Sequence, residues 1–256
     1  MKMRLASVGG ACLLLMAALC GAQSRPAPKP SSGNPQKNPD EKQIEKKEQS
    51  QRALGVLPQF AVTSRQNAPP LSHGEKFHLF AKSAFDPVEL GIVGVQAALS
   101  QGENEFPAYG QGAEGYAKRY GASLTDEVSS GFLSNYLYPV LLKEDPRYFR
   151  LGEGSMRHRV FYSLKQEFVC HTDSGGRSFG WSNTLGAFSS GGLSNLYYPQ
   201  ADRGFGLTMS RGGIALLYGS VGGLLDEFWP DINKKIHHRH GENGKGPSPA
   251  GGPKSP

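Results

Sequence analysis

Ser129 to Pro139 reads SSGFLSNYLYP, and Ser189 to Pro199 reads SSGGLSNLYYP. The blocks lie sixty positions apart and agree at eight of eleven positions, which organises the middle of the chain as two related helix ends. Gly131, Ser134, Asn135 and Tyr138 stand at i, i+3, i+4 and i+7 and so share one helix face; Gly191, Ser194, Asn195 and Tyr198 repeat the spacing. A buried asparagine or tyrosine must find hydrogen-bond partners. The spacing therefore predicts that the two faces pack centrally, each Asn bonding across the interface or to a helix end. Two readings compete with it: ordinary helix ends closed by Pro139 and Pro199, or a polar pocket lined by Asn135, Tyr138, Asn195 and Tyr198.

Outward from the blocks, apolar residues keep a helical period. Ser72, with Glu75 three residues on, forms a capping box ahead of Phe77, Phe80, Ala81 and Ala84. Asp86 caps the next helix with Pro87 at its first position, and Val88, Ile92, Val95 and Leu99 carry it to Gly102. Tyr116, Tyr120, Leu124, Val128, Phe132 and Tyr136 mark a third helix, from near Gln111 to just before Pro139. Further helices are expected over residues 155–171, 182–198 and 206–229, the last stopped by Pro230. Period-two alternation is scarce, and the Ser174-Gly175-Gly176 turn between Phe168-Val169 and Phe179 is the best place for strands. The domain reads as mainly α: a single compact bundle of about six close-packed, glycine-rich helices with an internal two-fold sequence repeat.

Small residues recur every fourth position in three rows: Ala113, Ala117 and Gly121; Ala187, Gly191 and Asn195; Ala215, Gly219 and Gly223. A glycine costs ~1 kcal/mol relative to alanine in a helix, and close approach of neighbouring helices is the simplest compensation. Such rows are also typical of membrane helices. The uncharged runs Gly212–Leu225 and Leu90–Gly102 are fourteen and thirteen residues long, short of the ~20 that a span needs. Close-packed helices outside the bilayer are expected, with peripheral association left open.

The ends of the chain differ from its middle. Lys2 and Arg4, the apolar run Leu5–Leu19 and the small residues Cys20-Gly21-Ala22 have the form of a cleaved signal peptide over residues 1–22. Lipidation at Cys20 is the alternative, although Leu19 before it is not small. Cleavage leaves Cys170 as the sole cysteine, which forbids an internal disulfide and reads as a small buried hydrophobe. Residues 23–52, rich in Pro, Ser, Asn, Gln, Lys and Glu, are expected to be a disordered linker, and residues 237–256 a disordered Gly/Pro/His tail. The helical domain is then 53–236. The net charge of +6 is unevenly spread. Residues 23–52 carry seven Lys/Arg against four Asp/Glu, residues 237–256 three against one, and residues 53–236 sixteen against seventeen. A near-neutral core argues against nucleic acid as a partner. The basic ends leave weak contact with an anionic membrane surface open.

Few motifs promise chemistry. Gly110-Gln111-Gly112-Ala113-Glu114-Gly115 fits G-x-G-x-x-G, but a dinucleotide site needs a preceding strand, and Asn104–Tyr109 reads as a loop. No cofactor is expected. Glu167, His171 and Asp173 form E-x-x-x-H-x-D; on a helix, Glu167 and His171 would share a face, and the carboxylate would orient the imidazole or co-ligate a metal. A helix-end ion pair is the plainer reading, and no metal is expected. Glu144-Asp145-Pro146-Arg147-Tyr148-Phe149-Arg150 is the densest polar set, echoed by Asp202-Arg203 after the second block. Asp–Arg sets of this kind hold loops by charge-assisted hydrogen bonds. With His158 or Arg159 the same set would also suit an anionic substrate. No catalytic residue is assigned.

Taken in order, LGVLPQF (54–60), FDP (85–87), GQGAEGYAKRYG (110–121), DPRYFR (145–150), SNLYYP (194–199) with DR (202–203), and EFWPDI (227–232) resemble a family of exported bacterial proteins over nearly all of 53–236. The resemblance implies a helical envelope domain. It brings no activity with it, so no functional residue is carried over. The expectation is an exported protein of the periplasm or cell envelope, structural or binding rather than catalytic, which holds an envelope partner or an apolar ligand between its helices. The second reading is an envelope hydrolase using Asp145, Arg147, His158 or His171. Peripheral outer-membrane association through Phe and Tyr faces is the third.

Overall fold

Local capping chemistry starts the first bundle helices where the sequence places them. The Ser72 hydroxyl accepts from Glu75 N at 3.3 Å and the Glu75 carboxylate accepts from Ser72 N at 2.7 Å, opening α2 (His73–Ala84). Asp86 accepts from Val88 N at 3.0 Å, and Pro87 opens α3 (Pro87–Gly102). Before them come α1 (Pro39–Glu48) and the two-residue strands β1 (Arg52–Ala53), β2 (Leu57–Pro58) and β3 (Val62–Thr63). The computed structural model describes residues 39–53 and 57–243; the expected signal, residues 23–38 and residues 244–256 lie outside the described residues. Part of the expected disordered linker is therefore folded. α1 is held by Arg65, whose guanidinium meets Glu41 at 2.6 Å and Glu48 at 2.9 Å.

The first repeat block bends instead of ending. α4 (Gly112–Phe132) runs into a π turn (Leu133–Leu137) and then α5 (Tyr138–Leu142). Tyr138 N–H donates to Leu133 O, five residues back. The wider turn carries the chain past Pro139, which has no N–H to give. The helix stops only at Lys143, with φ +56°. The second block behaves otherwise: α7 (Trp181–Leu193) tightens into a 3-10 turn over Ser194–Leu196, and Pro199 starts a loop.

The stretch expected to be one helix over 155–171 is a helix and a strand. α6 (Met156–Gln166) ends first, and β6 (Val169–Thr172) turns back onto β7 (Arg177–Phe179) around Gly175 at φ +80°. β4 (Glu144–Asp145) pairs antiparallel on the other edge of β6, while β5 (Tyr148–Phe149) lies parallel to β3. The last helix, α8 (Phe205–Asn243), does not stop at Pro230, so residues 237–243 of the expected tail are helical. At the turn that Pro230 disturbs, Arg150 Nε and Arg159 Nη2 donate to Glu227 O at 2.9 and 2.8 Å. These bonds tie the turn to α6 and to the loop after β5, while the donor that Pro230 lacks is the one Asp226 O would otherwise receive.

The fold is mainly α, and α7 sits at its centre. A Cβ at Gly186 would lie 2.9 Å from Ser134 Cα in the π turn; one at Gly191 would lie 3.0 Å from Thr208 O, and one at Gly212 3.0 Å from Phe188 Cγ. Two small-residue rows thus do pack: Gly191 against α8, and Gly219 and Gly223 of α8 against Glu167 and Ser163. The third does not, since Ala113, Ala117 and Gly121 face outward. Phe60, Leu71 and Leu79 form an apolar cluster under β3 and α2, and Phe80 meets Phe132 edge-on at 5.6 Å. Among the described residues, no helix is long and apolar enough to cross a membrane.

Candidate functional site

The charged motifs meet inside the protein, and Glu227 is their hub. Its side chain is fully buried (0 % exposed). One oxygen accepts from Arg159 Nε at 2.7 Å and Gly152 N at 2.9 Å, the other from Leu151 N at 2.9 Å and Tyr148 Oη at 3.1 Å. Arg150 and Arg159 then share Asp231, at 2.8 and 2.6 Å. The loop after β5, the buried face of α6 and the Pro230 turn of α8 are locked together in this way. A buried carboxylate is tolerated only when paired and fully hydrogen-bonded, and every contact here is internal.

The other predicted polar residues are also committed. Asp145 grips Arg147 through Nε at 3.0 Å and Nη2 at 2.6 Å, and Arg147 donates on to Pro69 O at 2.6 Å. Glu144, beside it, accepts from Ser182 N at 2.9 Å, from the Ser182 hydroxyl and from Ser178 Oγ at 3.0 Å, placing an anion on the first turn of α7. Lys76, fully buried, bridges Asp173 at 2.8 Å and Glu144 O at 2.7 Å. Arg203 donates to Tyr198 O, and Arg211 to Asp202 O at 3.2 Å, so the Asp202-Arg203 echo closes a loop.

The repeat residues do not line one pocket. Tyr138 Oη reaches Ser189 Oγ at 2.8 Å, so the blocks do touch, but Tyr198 and Tyr197 both donate to Asp126. Asn195 binds a helix end as expected, donating to Thr208 Oγ1 at 2.7 Å and Gly192 O at 3.1 Å. Asn135 is exposed, which corrects its expected burial: the π turn rotates it away from the interface that Ser134 enters.

Glu167 and His171 do not share a helix face, because α6 ends at Gln166, before both of them. Glu167 packs its carboxylate over Gly219 of α8, where burial pushes its pKa up to about 7. His171 lies in β6, its ring stacked on Phe149 at 3.8 Å. Burial first, then Arg177, pushes the imidazole down to about 4, so it is neutral at neutral pH. Its Nδ1 is buried without a hydrogen-bond partner among the described residues. Burial also pushes the Cys170 thiol up to about 12, so it is protonated and not nucleophilic. Among the described residues, no three His, Cys, Asp or Glu side chains gather as metal ligands.

An open groove of about 400 Å³ remains, between α6 and the β6–β7 hairpin. His158, Lys165, His171 and Arg177 line it with Phe161 and Tyr162, and no carboxylate takes part. Tyr162 and Gln166 are spent on Phe149 O, at 2.8 and 2.5 Å. Lys165, Arg177 and His158 are exposed and form no ion pair among the described residues, whereas Arg52, Arg65, Arg147, Arg150 and Arg159 are all paired. The sequence marks His158 and His171 as candidate site residues; no local pattern marks Lys165 or Arg177. Of the predicted set, Asp145, Arg147, Arg150, Asp202 and Arg203 build the scaffold, Glu167 packs under α8, and only the two histidines reach the groove. Comparison with known proteins finds no matching family model, no matching curated protein and no matching solved structure.

Proposed function

We propose that this chain is an exported, non-catalytic binding module of the bacterial envelope, and that the groove beside α6 holds its ligand, an anion carried on an apolar body. One observation carries the reading: the unpaired cations Lys165 and Arg177 converge with His158 on an opening that contains no carboxylate. An oxyanion would meet uncompensated positive charge there, while Leu151, Phe161 and Val169 would cover an apolar chain. The hydrolase reading has less support. Asp145 spends both oxygens on Arg147, and His171 lacks an orienting partner at Nδ1. A working base needs its orienting group and a nucleophile in reach, and Tyr162, the hydroxyl of the lining, already donates elsewhere.

Calorimetric titration with monomeric dodecyl phosphate tests this. Lys165 and Arg177 lie at the surface, so Lys165→Ala and Arg177→Ala leave the fold intact. A hydrogen bond to a charged group is worth ~1.5–3 kcal/mol, so each variant is expected to bind about 10- to 100-fold more weakly. The uncharged decyl maltoside should bind poorly, and added salt should weaken the phosphate. Equal affinity in parent and both variants would sink the proposal. Envelope fractionation addresses the location: release with the periplasmic contents is expected, and retention until detergent would contradict it.

A further inference from the structure

We infer that α8 carries a second interaction surface, separate from the groove, on which another copy of this chain docks. Leu207, Ile214 and Val221 follow one another at intervals of seven. Tyr218, Leu225 and Ile232 do the same; Tyr218 and Leu225 stand four residues after Ile214 and Val221, and Ile232 four after Phe228, the next place in that spacing. All six, and Leu217 beside them, are 39–73 % exposed. The opposite face is fully used, with Gly212 under Phe188, Gly219 under Glu167 and Gly223 on Ser163 O. A repeat of 3.5 residues keeps an apolar stripe turned toward a second helix lying alongside; no helix of this chain lies there among the described residues.

Size and charge select the occupant. From 207 to 232 the stripe is about 38 Å long. Taking ~150–200 Å² for a large apolar side chain, the exposed parts leave roughly 550–750 Å². That reaches or passes the top of the ~300–600 Å² range of the largest patch on a typical monomer and approaches the ~800 Å² that each partner contributes to a stable interface. An interfacial membrane helix flanks its apolar face with Lys and Arg. Here residues 212–233 contain no basic residue, Asp226, Glu227 and Asp231 are the charges present, and Lys234 and Lys235 follow only past Ile232, at the end of the stripe. Arg211 is turned inward, stacked 4.0 Å from the Tyr198 ring and bonded to Ser194 Oγ at 2.7 Å. The uncharged centre of the stripe meets its own copy about a two-fold axis without setting like charges face to face.

Light scattering on the purified full chain, over a concentration series, reads the result. The expected mass is that of two chains at micromolar concentration. Val221→Glu combined with Leu225→Glu should raise the dimer dissociation constant at least 100-fold with an unchanged melting temperature, since both side chains point outward. Leu141→Glu, equally exposed but on α5, should leave the mass alone. A monomer at every concentration overturns the inference, as does a dimer that survives the double substitution. Two outcomes reassign the stripe and overturn it too: dimers that form only once residues 1–38 are removed, and monomers that bind vesicles of anionic phospholipid through Val221 and Leu225.

Discussion

Replacing Glu227 with glutamine keeps the shape of the side chain and removes its charge. The carboxylate accepts four hydrogen bonds, two at each oxygen. An amide can accept at one oxygen only, so its NH₂ must face either Arg159 Nε and Gly152 N or the Leu151 N–H, donor against donor, although the Tyr148 hydroxyl beside Leu151 can turn to accept. Arg150 and Arg159 would keep their bonds to Glu227 O, but the carboxylate left to pair with them would be Asp231, which is 34 % exposed. Breaking a buried ion pair from one side costs ~3–5 kcal/mol. For a domain of this size each kcal/mol moves the melting temperature by ~2–4 °C, so Glu227→Gln is expected to melt about 6–20 °C below the parent. Asp231→Asn, at the wet edge of the cluster, should cost only about 1 kcal/mol. Circular dichroism melts of the parent and both variants give the comparison. A Glu227→Gln protein that melts within 2 °C of the parent would refute the hub.

Three further outcomes are expected. Gly186→Ala sets a methyl against Ser134 of the π turn and should cost about 1–3 kcal/mol in urea unfolding; an unchanged midpoint would mean that α7 does not pack there. Arg119, 1 % exposed, donates to Glu105 O, Phe106 O, Gly110 O and Gly115 O. Arg119→Met should expose the 104–111 loop to proteolysis, and an equally resistant loop would contradict its role as the clasp. The third concerns pH. Glu167 in the folded chain holds its proton up to about pH 7, whereas an ordinary glutamate releases it near 4.5. Its stabilising contribution is complete below pH 4.5 and is lost as pH rises through 7. Glu167→Gln should therefore be more stable than the parent at pH 8, with little difference at pH 4. His171 acts in the opposite sense, costing stability as pH falls from 6.5 toward 4. A parent and Glu167→Gln that titrate in parallel from pH 4 to 8 would contradict the burial of that carboxyl.

What the sequence revealed was mostly local. The Ser72–Glu75 box and the Asp86-Pro87 cap involve residues two or three apart, and both form as read. The Asp145–Arg147 pair spans two residues and was legible for the same reason. Both prolines misled, because what lets a helix pass Pro139 or Pro230 is not local to the proline. One is passed on a π turn set up against α7, and the other lies in a turn tied down by two arginines 77 and 68 residues away from Glu227. Gly175 signalled the hairpin, but a propensity-based reading ran the helix through Phe168, since β6 is fixed by its pairing with β4 and β7. Glu227 opens EFWPDI with nothing beside it to name its partners. Lys165 and Arg177 lie on different elements and meet only once the hairpin has folded back along α6, so the groove had no signature in the chain.

The charged motifs build the scaffold, and the open cationic groove is the proposed place of binding. Mapping backbone amide shifts by NMR while dodecyl phosphate is titrated in separates the two roles. Saturable shifts centred on Lys165, Val169, His171 and Arg177, and lost in Arg177→Ala, are the predicted result. Shifts confined to residues 145–150 and 227–231, or to the outward face of α8, would contradict it.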